Sequence, residues 1–398
     1  MTRRAHNSNH PKPLRAALTT TVGIIMAIAA TVGTSCVREP DLHLYATGQI
    51  ELQFLVPDLE LDRYWNYDDV AGYRWRDEWY YGWDDDDREL SGEVEYTYPS
   101  VFKLRRYYTG EVAMGPHLSM VPHTVEGYSH RTGYTWGFWD ALVWNEVFTP
   151  DGIQSIVIDE AADYSEVTAS TNQSLHPSRY QAPQYVRAFY EPEALFSAYR
   201  QAIDVDRDQA GGAWDLGWRD RYTVIPMQLQ PLTYIYMTQV ILYNNHGRVT
   251  GIDGRCDLSG MARSTSVNSG IAGSDPITIY YNARMKKNLS KGGRQADIIG
   301  GKLMSFGLCG HNGHTTPGRS AVADEVHHYM DVTMMFSNGM DSTLVFDVTK
   351  QVRNHYRGGV ITVELDIDTV PLPRRSGGSG FDAVVEEFQD GGTHEIEM

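Results

Sequence analysis

The sequence predicts an all-β protein, two tandem antiparallel β-sandwich domains with few short helices. Three observations predict it. Apolar and polar residues alternate in several short runs, the period of a half-buried strand. The 398 residues include 25 Tyr, 9 Trp and 37 Gly, aromatic strand formers joined by turn formers. Turn residues return every ten or so positions, and no repeat of about 20–50 residues marks a solenoid or propeller.

Residues 1–35 read as a signal peptide. Arg3, Arg4, Lys12 and Arg15 form a basic stretch without a carboxylate, residues 16–32 carry no charge, and Gly33-Thr34-Ser35 are small. Cys36 follows directly. A thiol at the first position after such a cut resembles the lipobox of bacterial lipoproteins, although Gly33 stands where that motif prefers Leu. The resemblance implies a diacylglycerol on Cys36 and attachment to the outer membrane through it, with palmitate among its acyl chains. A transmembrane anchor fits less well, because residues 16–32 are at the short end of what crosses about 30 Å of hydrocarbon and are rich in Ala and Thr. No later stretch is long and apolar enough to span.

After residue 35 the expected domains are 36–183 and 184–398. Residues 42–56 alternate loosely and read as a first strand. Residues 62–88 have no clear period: Tyr64, Trp65, Tyr67, Tyr73, Trp75, Trp79, Tyr80, Tyr81 and Trp83 interleave with Asp and Arg and close on four consecutive acids, 84–87. Strands are expected at 93–98, 101–108, 136–147 and 154–158, with Trp144 and Leu142 in phase on a buried face. Residues 174–183 read as a linker. Pro192, with Glu193 just after it, opens an expected helix over 193–201.

The β signal is strong beyond the loop at 211–217. In 233–243, Tyr234, Tyr236, Thr238, Val240 and Leu242 take one face, and Ile235, Met237, Gln239 and Ile241 the other. In 329–336, Met330, Val332, Met334 and Phe336 are in phase. Ser337-Asn338-Gly339 signals a hairpin to 343–348, with Leu344, Phe346 and Val348 returning in phase. Residues 359–369 set Ile361, Val363, Leu365 and Ile367 against Thr362, Glu364, Asp366 and Asp368, an expected antiparallel strand with one wet face.

The formal charge is −17, and removal of residues 1–35, with four basic and no acidic residues, takes it to −21. Such a chain repels nucleic acid and anionic headgroups. Two cysteines remain beside Cys36. In an oxidising compartment Cys256 and Cys309 can pair, or they are two small buried hydrophobes; the sequence leaves both readings open.

Several strings carry a family resemblance: Ala141-Leu142-Val143-Trp144-Asn145, Thr149-Pro150-Asp151-Gly152-Ile153-Gln154-Ser155, Thr171-Asn172-Gln173-Ser174, Asp257-Leu258-Ser259-Gly260-Met261-Ala262, Asn338-Gly339-Met340-Asp341-Ser342 and Gly377-Gly378-Ser379-Gly380-Phe381-Asp382. With the lipobox they resemble a family of Bacteroidota outer-membrane lipoproteins related to fimbrillins and fimbrial anchor proteins. The resemblance implies two tandem β-sandwiches of transthyretin-like topology. It also implies a structural or adhesive role at the cell surface, with other fimbrial subunits as partners through strand exchange.

Chemistry-bearing clusters are few. Cys309-Gly310-His311-Asn312-Gly313-His314, with His327-His328 beyond it, offers sulfur and imidazole, but without the spacing of a zinc site it reads as a Gly-rich loop. Residues 84–87 lack the alternation and the bidentate Glu of a calcium loop. No nucleophile elbow, phosphate loop or dinucleotide fingerprint occurs, so neither an enzyme nor a cofactor is expected. The nine aromatics between Tyr64 and Trp83 are dense for a loop. They read either as cover for a sheet or as a glycan platform carried by Trp65, Trp75, Trp79 and Trp83. The latter would serve a polysaccharide-uptake system, the alternative to the fimbrial reading.

Overall fold

The computed structural model describes residues 47–55, 75–82, 99–110, 118–119, 123–135, 137–147, 155–161, 163–177, 187–205, 223–312, 326–373 and 383–385. Cys36, Trp65, Trp83, the expected strand at 93–98 and the acids 84–87 lie outside them. Nearly all the described residues belong to one compact unit formed by Ile50–Thr132, Gly137–Asp204 and Thr223–Met398. The described part of a second unit is the end residues 47–49, 133–135 and 205.

The protein is all-β. Its strands begin with β1 (Thr47–Leu55), β2 (Val101–Gly110), β3 (Leu118–Ser119), β4 (His123–Glu126), β5 (Ser129–Thr135), β6 (Gly137–Asn145), β7 (Ile156–Asp159), β8 (Thr168–Thr171), β9 (Gln173–Pro177), β10 (Arg187–Phe189) and β11 (Phe196–Val205). They continue with β12 (Thr223–Gln228), β13 (Gln230–Pro231), β14 (Tyr234–Tyr243), β15 (Val249–Ala262), β16 (Ser264–Ser266), β17 (Pro276–Lys291), β18 (Arg294–Ser305), β19 (Tyr329–Phe336), β20 (Asp341–Asp347), β21 (Gly359–Asp366) and β22 (Ala383–Val385). Two α-helices are described, α1 (Trp75–Glu78) and α2 (Thr349–Asn354), both shorter than two turns.

The largest sheet has ten strands in the order β21-β14-β18-β17-β15-β19-β20-β22, with β10 beside β17 and β9 beside β10. One apolar cluster takes Tyr236, Val240 and Leu242 from β14, Ile361 and Val363 from β21, Leu258 from β15, Met330 and Val332 from β19 and Phe346 from β20. Both ends of the sheet thus supply the same core, which requires the sheet to curl round upon itself, as long twisted sheets do. A six-stranded sheet, β13-β11-β6-β2-β3 with β4 on β2, packs on the three-stranded β16-β8-β7. The core between them includes Tyr107, Leu142, Trp144, Ile156, Ala169 and Phe306. Trp144 is 1% exposed, on the buried face its spacing assigned.

Alternation located the faces of the large sheet well. The two residue sets of β14 enter two different cores, and the sets of β19, β20 and β21 enter the first. The hairpin turn after Phe336 closes as expected: Gly339 adopts φ 76°, and Asn338 Oδ1 accepts the Met340 amide at 3.1 Å.

Three expectations need correction. Residues 359–366 pair with β14 in parallel, because α2 carries the chain back before β21 starts. The segment expected as helix from Glu193 is extended, and Phe196–Val205 is strand β11. Here Glu193 spends its carboxylate on another segment, accepting the backbone N–H groups of Ser155 and Ile156 at 2.8 and 3.0 Å. Asn145 Oδ1 takes the Phe196 amide at 2.6 Å, so tertiary partners outbid the local helix signal. Residues 174–177, expected in a linker, belong to β9, where the Ser174 hydroxyl is buried and donates to Ala188 O at 2.7 Å.

Candidate functional site

The aromatic segment was expected either to cover a sheet or to form a glycan platform, and in its described part Trp79 and Tyr81 are buried while Asp77 and Glu78 are exposed. Trp79 and Tyr81 are 5% and 1% exposed and pack on the second face of the large sheet against Ile235, Met237, Ile241, Ile298 and Val360. Two sheet residues hold the segment there. Gln239, fully buried on β14, accepts the Tyr80 amide through Oε1 at 2.9 Å and donates through Nε2 to Glu78 O at 2.6 Å. Its amide thereby forms the pair of bonds a neighbouring strand would form. Gly300 on β18 supplies the space, since a Cβ there would lie 2.4 Å from the Tyr81 ring. Lys286 closes the far side, its ammonium 4.5 Å from the Tyr81 ring centroid.

Trp79 is therefore core and offers no ring to a ligand, which corrects the platform expectation at that residue. Its indole N–H is used internally, donating to Gly82 O at 2.9 Å. Trp75 opens α1, and Trp65 and Trp83 lie outside the described residues. An amphipathic segment laid on an apolar sheet face needs such rings inward, so aromatic density alone did not separate cover from platform.

The strand edges are the second candidate. Strand β1 is the middle strand of β12-β1-β5 and is held on both sides. Its parallel register with β12 runs from Ile50↔Thr223 to Leu55↔Gln228, and the Phe54 amide donates to Tyr128 O at 2.8 Å. Ile50, Leu52 and Phe54 are buried, with the Phe54 ring 5.0 Å from that of Phe102. At the opposite extreme, β22 contributes three residues at the end of the large sheet, Ala383–Val385 lying parallel to Leu344–Phe346 of β20.

The remaining groups are structural. Cys256 and Cys309 are both buried, 2% and 1% exposed, where small hydrophobic side chains belong. Burial pushes the Cys309 thiol up to about 12, where it is a weak nucleophile and a poor metal ligand at neutral pH. Cys309 and Gly310 form a turn, closed by the His311 amide donating to Leu308 O at 3.2 Å. Among the described residues no group of three or more His, Cys, Asp or Glu is placed to hold a metal ion. Sequence reasoning missed the roles of Gln239 and Gly300, because one polar and one small residue in a strand carry no local mark of what crosses above them.

No protein-family model matches the chain, and no curated protein matches it. Solved structures do. A candidate adhesin from Bacteroides ovatus ATCC 8483 aligns with a TM-score of 0.44 at 12% identity, covering 83% of this chain and 97% of that one. A second candidate adhesin from Bacteroides ovatus aligns with a TM-score of 0.43 at 9% identity, covering 84% and 91%. The fimbrial anchor protein Mfa2 from Porphyromonas gingivalis aligns with a TM-score of 0.41 at 10% identity, covering 80% and 90%.

Proposed function

We propose that this chain is a lipid-anchored cell-surface protein with a structural role in fimbrial assembly, acting at the base of the polymer as an anchor and adhesion subunit. The observation that carries the reading is the position of β1. A shaft subunit that polymerises by strand exchange must free a groove, and loss of its first strand is one way to free it. Here the first strand is paired on both edges and places Ile50, Leu52 and Phe54 in the core. Its removal would expose three large apolar side chains, each worth about 1.5–3 kcal/mol of burial. A chain that retains this strand, tethered through Cys36 eleven positions before it, suits a fixed end.

Strand addition is proposed at one extreme of the large sheet, where, among the described residues, the three of β22 pair with the seven-residue β20 and an extended segment from another subunit would lengthen that pairing. Glycan binding gains nothing from Trp79, which is buried.

The test is assembly of the purified soluble chain beginning after Cys36. It is expected to run as a monomer, alone, on mild-detergent gels. Ladders that disappear on deletion of residues 381–398 would instead make it a polymerising shaft subunit and end the anchor reading.

A further inference from the structure

Two imidazoles meet where the chain crosses from one sheet to another. His123 lies on β4, which pairs with β2 in the six-stranded sheet, and His130 lies on β5, the neighbour of β1 in the sheet β12-β1-β5. Gly127, at φ 82°, turns the corner between them and donates its amide to Ser100 O at 2.8 Å. The two imidazole centroids are 5.3 Å apart. At the same junction the Phe102 ring of β2 lies 5.0 Å from that of Phe54 and 6.0 Å from that of Tyr128, so the imidazoles sit in the seam between the two sheets.

Arg106 on β2 reaches into this seam, its Nη2 2.8 Å from His123 Nε2. A guanidinium only donates, so Nε2 accepts and the His123 ring is neutral, with its proton on Nδ1. The guanidinium also lies over the Trp139 ring of β6, 5.7 Å from its centroid, and the Tyr108 ring packs on that indole. Nε2 of His130 is buried and meets no hydrogen-bond partner among the described residues. The charged and titratable groups here are thus Arg106 and Tyr108 from β2, His123 from β4 and His130 from β5, while β1 brings the apolar Ile50, Leu52 and Phe54. Among the described residues no carboxylate acts on either imidazole. Protonating both rings would place two imidazoliums beside a guanidinium, with donor facing donor across the Arg106–His123 contact.

We propose that Arg106, His123 and His130 form an acid-sensitive latch, which holds the β12-β1-β5 sheet on the six-stranded sheet at neutral pH and loosens it in mild acid. Burial first and Arg106 second hold the His123 imidazole below its ordinary value of 6.5, and burial, His123 and Arg106 do the same at His130. The opened seam therefore binds protons more readily than the closed one. The preference for the closed seam is complete above pH 6.5 and declines as pH falls below it. Opening would loosen β1 and uncover the apolar groove beneath it. The latch stands without the anchor reading; only its use, admitting a partner's strand while the first strand stays tethered, rests on that reading.

The experiment is hydrogen exchange at residues 50–54 and 129–132 from pH 7 to pH 5, corrected for the intrinsic pH dependence of exchange. It compares the soluble chain with its His123→Gln/His130→Gln variant, whose side chains do not titrate and whose Gln at 123 can still accept from Arg106. Opening of these residues should rise about tenfold or more in the parent relative to the variant, while β14 and β17 keep their protection in both. Nuclear magnetic resonance of the His123 and His130 rings in the parent needs no substitution and serves if the variant does not fold; both rings should titrate below pH 6.5. Equal acceleration in parent and variant overturns the inference. So does acceleration that β14 and β17 share, or rings that titrate at or above pH 6.5. Failure of the anchor reading would appear separately, in the parent at pH 7, as ladders dependent on residues 381–398.

Discussion

At the residue scale, close contacts define what each position tolerates. Gly300 has ordinary extended backbone, so Gly300→Ala brings no conformational penalty, only a Cβ 2.4 Å from the Tyr81 ring. The substitution should cost about 1–3 kcal/mol by overpacking. In a Tyr81→Ala background most of that cost should vanish, a coupling that urea titration of the four proteins measures. Trp144→Ala, at a side chain 1% exposed, should cost about 3–5 kcal/mol in the same assay; a change below about 1 kcal/mol would contradict its place in the core. His328 gives a pH dependence. Burial first, and the Arg353 cation second, push its pKa down to about 3, below the unfolded value of 6.5. The unfolded chain therefore binds the extra proton, and the stabilisation from neutral His328 is complete above pH 6.5 and lost as pH falls toward 3. Between pH 6.5 and 5, before most carboxylates titrate, the urea midpoint of the parent should fall more steeply than that of His328→Gln.

At the element scale, the strands whose faces were legible and those that were not differ in one respect. Strands β14, β19, β20 and β21 bury alternating apolar residues, and alternation is a property of sequence. Strand β11 and the segment before it were misread as helix because Pro192 and Glu193 imitate a helix start, while the deciding partners are Ser155, Ile156 and Asn145, about forty to fifty residues away. The aromatic segment 75–82 is likewise held by distant groups. Gln239→Ala removes the partners of the Tyr80 amide and the Glu78 carbonyl, and should cost about 1–3 kcal/mol. Hydrogen exchange should quicken at residues 78–81 while β19 and β20 keep their protection. Equal acceleration in all three would show that Gln239 supports the sheet as a whole and does not act as a local clasp.

At the scale of the whole molecule, the proposed anchor role joins a lipid at one end to a sheet edge at the other. Cys36→Ser should leave the protein uncleaved or free of the membrane, read by mass spectrometry of the processed N-terminus and by membrane fractionation. Normal processing and membrane retention in that variant would remove the lipid from the proposal. The acidic balance of −17 bears on the same scale, since it disfavours adhesion of the folded chain to anionic surfaces by charge alone.

The all-β class, the buried faces of β14, β19, β20 and β21 and the burial of Trp144 were determined by sequence, because strand period and side-chain size act locally and every half-buried strand must obey them. Strand partners were decided only in three dimensions. Parallel pairing of β21 with β14 and of β1 with β12 joins residues 123 and 173 positions apart, and the curling of ten strands around one core is likewise long-range. The burial of Trp79 was decided there too, because an aromatic ring has the same composition whether it faces solvent or a sheet. What separates the two outcomes is Gln239 and Gly300 beneath it, which gain their meaning only when the segment and the sheet meet.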